Sequence, residues 1–168
     1  MLVPSTDFRA ALGAFATGVC VVAARGGDGH PVGVTVNSFS SVSLDPPLVL
    51  FCLDRKGSAF PRFEAAGAWA IHVLAEDQKE LARRFARRRQ EATLADPWAE
   101  IAWHEDETGI AVFPGSLARL ACVAERIADG GDHAIMIGRV TRLDWQAEGR
   151  PLLYFRGRYE QVAEGVPA

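Results

Sequence analysis

The sequence is built from short apolar runs rich in β-branched residues, each closed by glycine, proline or aspartate. Few of the intervals between them are long enough for a crossover helix. Residues 18–24, 32–36, 42–44, 48–53, 68–74, 117–127, 133–143 and 152–155 read as strands, with shorter candidates at 101–104 and 111–113. Gly26-Gly27-Asp28-Gly29 and Gly130-Gly131-Asp132 read as hairpin turns. Strands that follow one another without helical crossovers pair antiparallel, and closing them into a barrel removes exposed edges. The expected fold is therefore mainly β: an antiparallel β-barrel with a few peripheral α-helices.

Three helices are expected. Ser5 or Thr6 caps the first, which carries Phe8, Ala11, Leu12 and Phe15 at helical spacing. Ser58 caps a short second helix through Phe63 and Ala66. The strongest periodicity lies at 77–88, with Leu81, Ala82, Phe85 and Ala86 on one stripe. A chain of 168 residues suits one domain spanning 1–168. With 49% apolar and 23% charged residues it reads as globular rather than disordered. A formal net charge of −3 argues against general nucleic-acid binding. No apolar run is long enough to cross a bilayer, and Met1-Leu2-Val3-Pro4 lacks the pattern of an export signal. Cys20, Cys52 and Cys122 each sit in an apolar run and read as small buried hydrophobes with reduced thiols, which points to the cytoplasm.

Several chemistries find no support. No GxGxxG opens a helix after a strand, and no Walker A sequence occurs. Zinc-type Cys/His spacing is missing, so no metal is expected. GxSxG is absent, and a cysteine nucleophile would need exposure that these apolar runs deny. The unusual stretch is 33–47, where Thr35, Asn37, Ser38, Ser40, Ser41 and Ser43 crowd between apolar strands. Such groups can hydrogen-bond the polar edge of a heterocycle or cradle a phosphate. They are equally the ordinary furniture of a polar outer face and its turns.

Phe15-Ala16-Thr17-Gly18-Val19-Cys20-Val21-Val22, followed by Gly33-Val34-Thr35-Val36-Asn37-Ser38-Phe39-Ser40-Ser41-Val42-Ser43-Leu44-Asp45-Pro46-Pro47-Leu48, resembles the flavin reductase-like family. These are the short reductase components of two-component monooxygenases. The resemblance continues, in order, through Leu81-Ala82-Arg83-Arg84-Phe85-Ala86, Gly131-Asp132-His133-Ala134 and Pro151-Leu152-Leu153-Tyr154-Phe155-Arg156-Gly157-Arg158-Tyr159. Cys20 departs from it, standing where Thr or a similar residue is expected.

The resemblance implies a Greek-key FMN-binding split β-barrel that forms a homodimer and holds FMN or FAD near the subunit interface. NADH or NADPH would pass hydride to the flavin, and a separate oxygenase would receive the reduced product. It implies that Thr35, Val36, Asn37 and Ser38 meet the isoalloxazine edge, partly through main-chain groups. Ser40 and Ser41 would approach the ribityl and phosphate portion. Ser58 would offer its hydroxyl and a helix N-terminus to phosphate, and Arg84 and Phe85 form the family's second phosphate-side segment. His133 would orient the nicotinamide, with Tyr154 and Tyr159 shaping that pocket. Arg83, Arg84, Arg87, Arg88 and Arg89 read otherwise as a solvated helix face. His30, His72 and His104 read as structural or surface residues, and the four tryptophans as packing residues. Two other readings share the barrel: a non-enzymatic protein holding FMN or haem, and a pyridoxamine phosphate oxidase relative.

Overall fold

A computed structural model describes residues 3–86 and 96–163. In chain order the elements are α1 (Ser5–Leu12), β1 (Thr17–Gly18), β2 (Cys20–Arg25), β3 (Pro31–Val36), β4 (Ser40–Leu44), β5 (Pro47–Asp54), α2 (Phe60–Ala65), β6 (Ala68–Val73), α3 (Lys79–Phe85), β7 (His104–Glu105), β8 (Ala111–Val112), β9 (Ala118–Gly130), β10 (His133–Trp145), β11 (Leu153–Phe155) and β12 (Arg158–Glu160). The main sheet runs β3-β2-β6-β9-β10-β5-β4, and every neighbouring pair is antiparallel. It contains three hairpins, and the connection from β5 through α2 to β6 skips over the β9–β10 pair. The mainly β, antiparallel expectation therefore holds, and the order is not a simple up-and-down one.

One apolar cluster explains how this sheet curls. Val22 and Ala24 of β2, Val32 and Val36 of β3, Phe51 and Leu53 of β5, Trp69 and Ile71 of β6, Cys122 of β9 and Met136 of β10 share a single core. Strands from opposite ends of the sheet order thus bury the same interior, as a rolled sheet requires. The other face of β2 and β6 is covered as well. Val21, Ala23 and Ala70 pack with Ala82 and Phe85 of α3, and with Ala111 and Phe113 from the β8 region. Burial on both faces accounts for the unbroken apolar run of β2.

The β3 face turned away from the barrel is shaped for α3. A Cβ at Gly33 would stand 2.7 Å from the Phe85 ring, so only glycine leaves room for it. Thr35 Oγ1 donates to the Ala82 carbonyl at 2.7 Å. Phe85 lies edge-on to Trp98, which stacks on Phe113 at 5.7 Å. Trp69 and Trp98 are thus packing residues, whereas Trp145 is 69% exposed, against expectation.

Several local expectations change. Pro4, not Ser5 or Thr6, occupies the cap position of α1, with no side-chain cap bond, and no residue of α1 is buried. Ala59, not Ser58, precedes α2, again without a side-chain cap. The 77–88 helix begins as a 3₁₀ turn at Glu76–Gln78, and its α-helical part is Lys79–Phe85. Gln78 anchors that turn: its side chain accepts from Ala75 N at 3.1 Å and donates to the Pro114 carbonyl at 2.9 Å. Arg87, Arg88 and Arg89 lie outside the described residues. Cys20 and Cys122 are buried as expected, with thiols pushed up to about 12 by burial, and Cys52 is half-buried.

A buried polar cluster joins β7–β8 to the barrel. Arg119 pairs with Asp106 and reaches Asp144 at 3.5 Å. Asp106 Oδ1 also accepts from Thr108 N, Thr108 Oγ1 and Ile110 N. Beside it His72, fully buried, places Nδ1 3.3 Å from the Val21 carbonyl and sits edge-on to Phe113. Burial holds the His72 imidazole down at about 4, and the Arg119 charge acts in the same sense.

Two outcomes follow from this packing. Gly33→Ala should destabilise the protein by ~1–3 kcal/mol, read by urea denaturation, because the Phe85 ring must shift. His72 is neutral in the fold, while its unfolded counterpart protonates near pH 6.5. Its contribution is therefore complete above that pH and is lost as pH falls towards about 4, on the order of 3 kcal/mol. His72→Phe should flatten the decline in denaturation midpoint across that window; an unchanged slope would contradict the assignment.

Candidate functional site

The serine-rich segment begins where β3 stops. Among the described residues no ladder joins β3 to β5. A side chain bridges them instead: Ser38 Oγ accepts from Cys52 N at 2.9 Å and stands 3.4 Å from the Cys52 carbonyl. Phe39 packs against the barrel core. The chain is thus anchored at 38 and 39, yet among the described residues the N–H groups of 37–39 find no main-chain partner. Asn37 is exposed just before these two anchors, and Ser40 and Ser41 follow on β4, also exposed. The other two residues of this group are committed elsewhere. Thr35 is bonded to α3, and Val36 is 7% exposed with its side chain inside the barrel. Their side chains are therefore not available to a ligand.

His133 opens β10 directly opposite Asp54 at the end of β5. Cys52 faces Ile135 in the same register, so the Ser38 anchor and His133 share one end of the β5–β10 pair. His133 is partly exposed, and its Nδ1 lies 2.7 Å from Asp132 Oδ1. The turn after β5 is tied to this corner. Arg55 N donates to the Asp132 carbonyl at 3.0 Å, and the Arg55 guanidinium pairs with Asp129 at 3.0 Å. Ser58 stands exposed in that turn. It offers a hydroxyl but no helix N-terminus, since α2 starts after Ala59.

The remaining residues sit apart. Phe85 is 5% exposed beneath Trp98 and against Gly33, so its ring is core and presents no face to a ligand. Arg84 donates to the Ala99 carbonyl and lies 3.6 Å from Glu80, which makes it a tie between α3 and the segment after residue 96. Tyr154 pairs with Thr17 and Tyr159 in the separate sheet β1-β11-β12, its ring 5.5 Å from that of Tyr159. Burial raises the Tyr159 hydroxyl above its ordinary range, Tyr154 adds to this, and the nearby Arg83 charge opposes it. Among the described residues no hydrogen bond links Arg84, Phe85 or Tyr154 to the corner holding Ser38 and His133. A separate cleft against β7–β8, lined by Phe113, Arg119, Arg142 and Trp145, holds none of the expected site residues.

The Asn37–Ser41 donor set fits a flavin. Unpartnered main-chain N–H groups on a pinned segment suit the carbonyl-bearing edge of a flat heterocycle, and the adjacent hydroxyls suit its polyol and phosphate. The sequence did not reveal Arg55 as the tie between the two turns. Its position after a strand-ending aspartate was the only hint.

Comparison with known proteins shows the family. The model of the flavin reductase like domain matches residues 12–163. A flavin-dependent monooxygenase reductase subunit, HsaB, of Rhodococcus jostii is 41% identical over 96% of this chain and 80% of its own length. The FMN reductase (NADH) SmoA of Agrobacterium fabrum is 44% identical over 92% of this chain and 84% of its own. Among solved structures, the Streptomyces globisporus NADH:FAD oxidoreductase SgcE6, in complex with NAD and FAD fragments, superposes with a TM-score of 0.88 at 34% identity and 99% coverage of both chains. With a family match over most of its length and relatives this similar, the chain belongs to the flavin reductase like domain family.

Proposed function

We infer that this protein is an NAD(P)H:flavin oxidoreductase that reduces FMN or FAD and supplies the reduced flavin to a separate oxygenase. The observation that carries the reading is the 37–41 segment. It is held by Ser38 at the same end of the β5–β10 pair as His133, within a chain whose relatives are flavin reductases. Bound flavin supplies the hydride-accepting ring, and the nicotinamide supplies the hydride.

The chain's own residues bind and orient. Main-chain N–H groups at 37–39 donate to the ring edge where negative charge grows on reduction. Asn37 adds a side-chain amide at that edge. The hydroxyls of Ser40, Ser41 and Ser58 serve the polyol and phosphate. His133 contacts the nicotinamide from the open side and sets its angle to the flavin, which lowers the entropic part of the barrier. The hydride step needs no side-chain acid or base, and no carboxylate or thiol is assigned one. Arg84 and Tyr154 stand outside this corner, Arg84 tying α3 to the segment after residue 96 and Tyr154 packing on Tyr159. Phe85 acts by holding α3 against β3.

The active form in this reading is a homodimer. Val42, Leu44, Leu143 and Trp145 are exposed apolar side chains, Leu44 at 94%, and a second copy would cover such a surface. Among the described residues no helix is long and apolar enough to cross a membrane. The proposed place of action is the cytoplasm, where reduced nicotinamide is made and free thiols persist.

Adding NADH and FMN to the purified protein in air should consume NADH continuously. A tight yellow complex inert to NADH would instead support a flavin carrier. Ser38→Ala leaves Cys52 N–H unpartnered and should weaken flavin binding by about tenfold, ~1.4 kcal/mol, in a fluorescence titration. His133→Gln should slow stopped-flow flavin reduction by about tenfold with flavin affinity unchanged; an unaltered rate would remove His133 from the site. Sedimentation should show a dimer that Leu44→Glu shifts towards monomer.

A further inference from the structure

His133 is held by one neighbour. Its Nδ1 lies 2.7 Å from Asp132 Oδ1, and among the described residues the ring makes no other hydrogen bond. Asp132 is itself fixed through its carbonyl, which accepts from Arg55 N at 3.0 Å. The hydrogen bond from His133, then the His133 charge, hold the Asp132 carboxyl below its ordinary range. The other charged groups around this corner are Asp54 across the ladder, Lys56 in the facing turn, and the Arg55–Asp129 pair. Asp54 accepts from Lys56 N at 2.9 Å, and Asp129 is taken by Arg55. Of these carboxylates only Asp132 is bonded to the imidazole.

An ionised carboxylate accepts and cannot donate, so the proton of a neutral imidazole in this pair resides on Nδ1. Nε2 then carries a lone pair. Asp132 is solvent-exposed, and a bond of this kind adds little to stability. Its effect is selective: it chooses between two tautomers of similar energy and fixes the ring plane.

We propose that Asp132 is a positioning residue for hydride transfer, holding His133 as the Nδ1–H tautomer so that Nε2 accepts from a carboxamide N–H of the reduced nicotinamide. The proposal rests on the reading of His133 as a nicotinamide contact. Asn at 132 can turn its amide NH₂ to Nδ1, which moves the imidazole proton to Nε2 and sets a donor against a donor.

The test uses the flavin-loaded full chain with NADH. Asp132→Asn should lower the limiting rate of flavin reduction about tenfold, with flavin affinity unchanged. Nitrogen-15 NMR of the imidazole should show the Nδ1–H tautomer in the parent and its loss in the variant. In a His133→Gln background the same substitution should change the rate by less than about twofold, because its route of action is gone. An equal tenfold loss in that background would overturn the proposal, since Asp132 would then act through the turn. A slow His133→Gln variant beside an unaffected Asp132→Asn variant would overturn the role of Asp132 alone. An unaffected His133→Gln variant would overturn the reading of His133 as well, and the NMR tautomer would then report only a local contact.

Discussion

The structure depends on how a rolled sheet is closed where its hydrogen-bond ladder stops. β3 and β5 share one apolar interior, yet no strand pairing joins them among the described residues. The Ser38 hydroxyl meets the main chain of Cys52 in place of a ladder. A side-chain bridge leaves the neighbouring main-chain groups unspent, whereas a ladder would consume them. The gap in the barrel is therefore also its source of free donors.

The rest of the molecule packs around this gap and fixes its two walls. Alternation along β3 sends Val32 and Val36 inward, and Gly33 and Thr35 outward to α3. The helix cannot drift, because Phe85 is wedged between Gly33 and Trp98 and Thr35 is bonded to Ala82. On the opposite wall, β10 carries His133 to the end of β5, and Arg55 fastens the two turns together. Orientation of two flat rings is the protein's main task in such a reaction, and a rigid frame around a short irregular segment meets it.

Much of this was legible in the chain. The hairpins β2–β3 and β9–β10 follow from glycine turns between β-branched runs, and both pairings are observed. Cys20 and Cys122 read correctly as buried hydrophobes. The family was legible from the ordered motifs, and the comparisons show it. Less legible were short elements without periodicity. β12 and the separate sheet β1-β11-β12 escaped notice, because strands of two or three residues carry too little pattern. Helix caps were misplaced by one or two positions, since Ser5 and Ser58 suit a cap chemically while the surrounding chain sets where each helix begins.

Residue order alone determined the mainly β class, the hairpin pairings and the identity of the hydroxyl-rich segment, because turn chemistry and side-chain alternation act between near neighbours. Tertiary structure decided which of those residues stay exposed and which are spent on packing. Thr35 is spent on α3, Val36 on the barrel interior and Phe85 on an aromatic cluster, while Asn37, Ser40, Ser41 and His133 stay accessible. That division depends on contacts between residues far apart in the chain, such as Thr35 with Ala82 and Ser38 with Cys52, and local pattern carries no information about them.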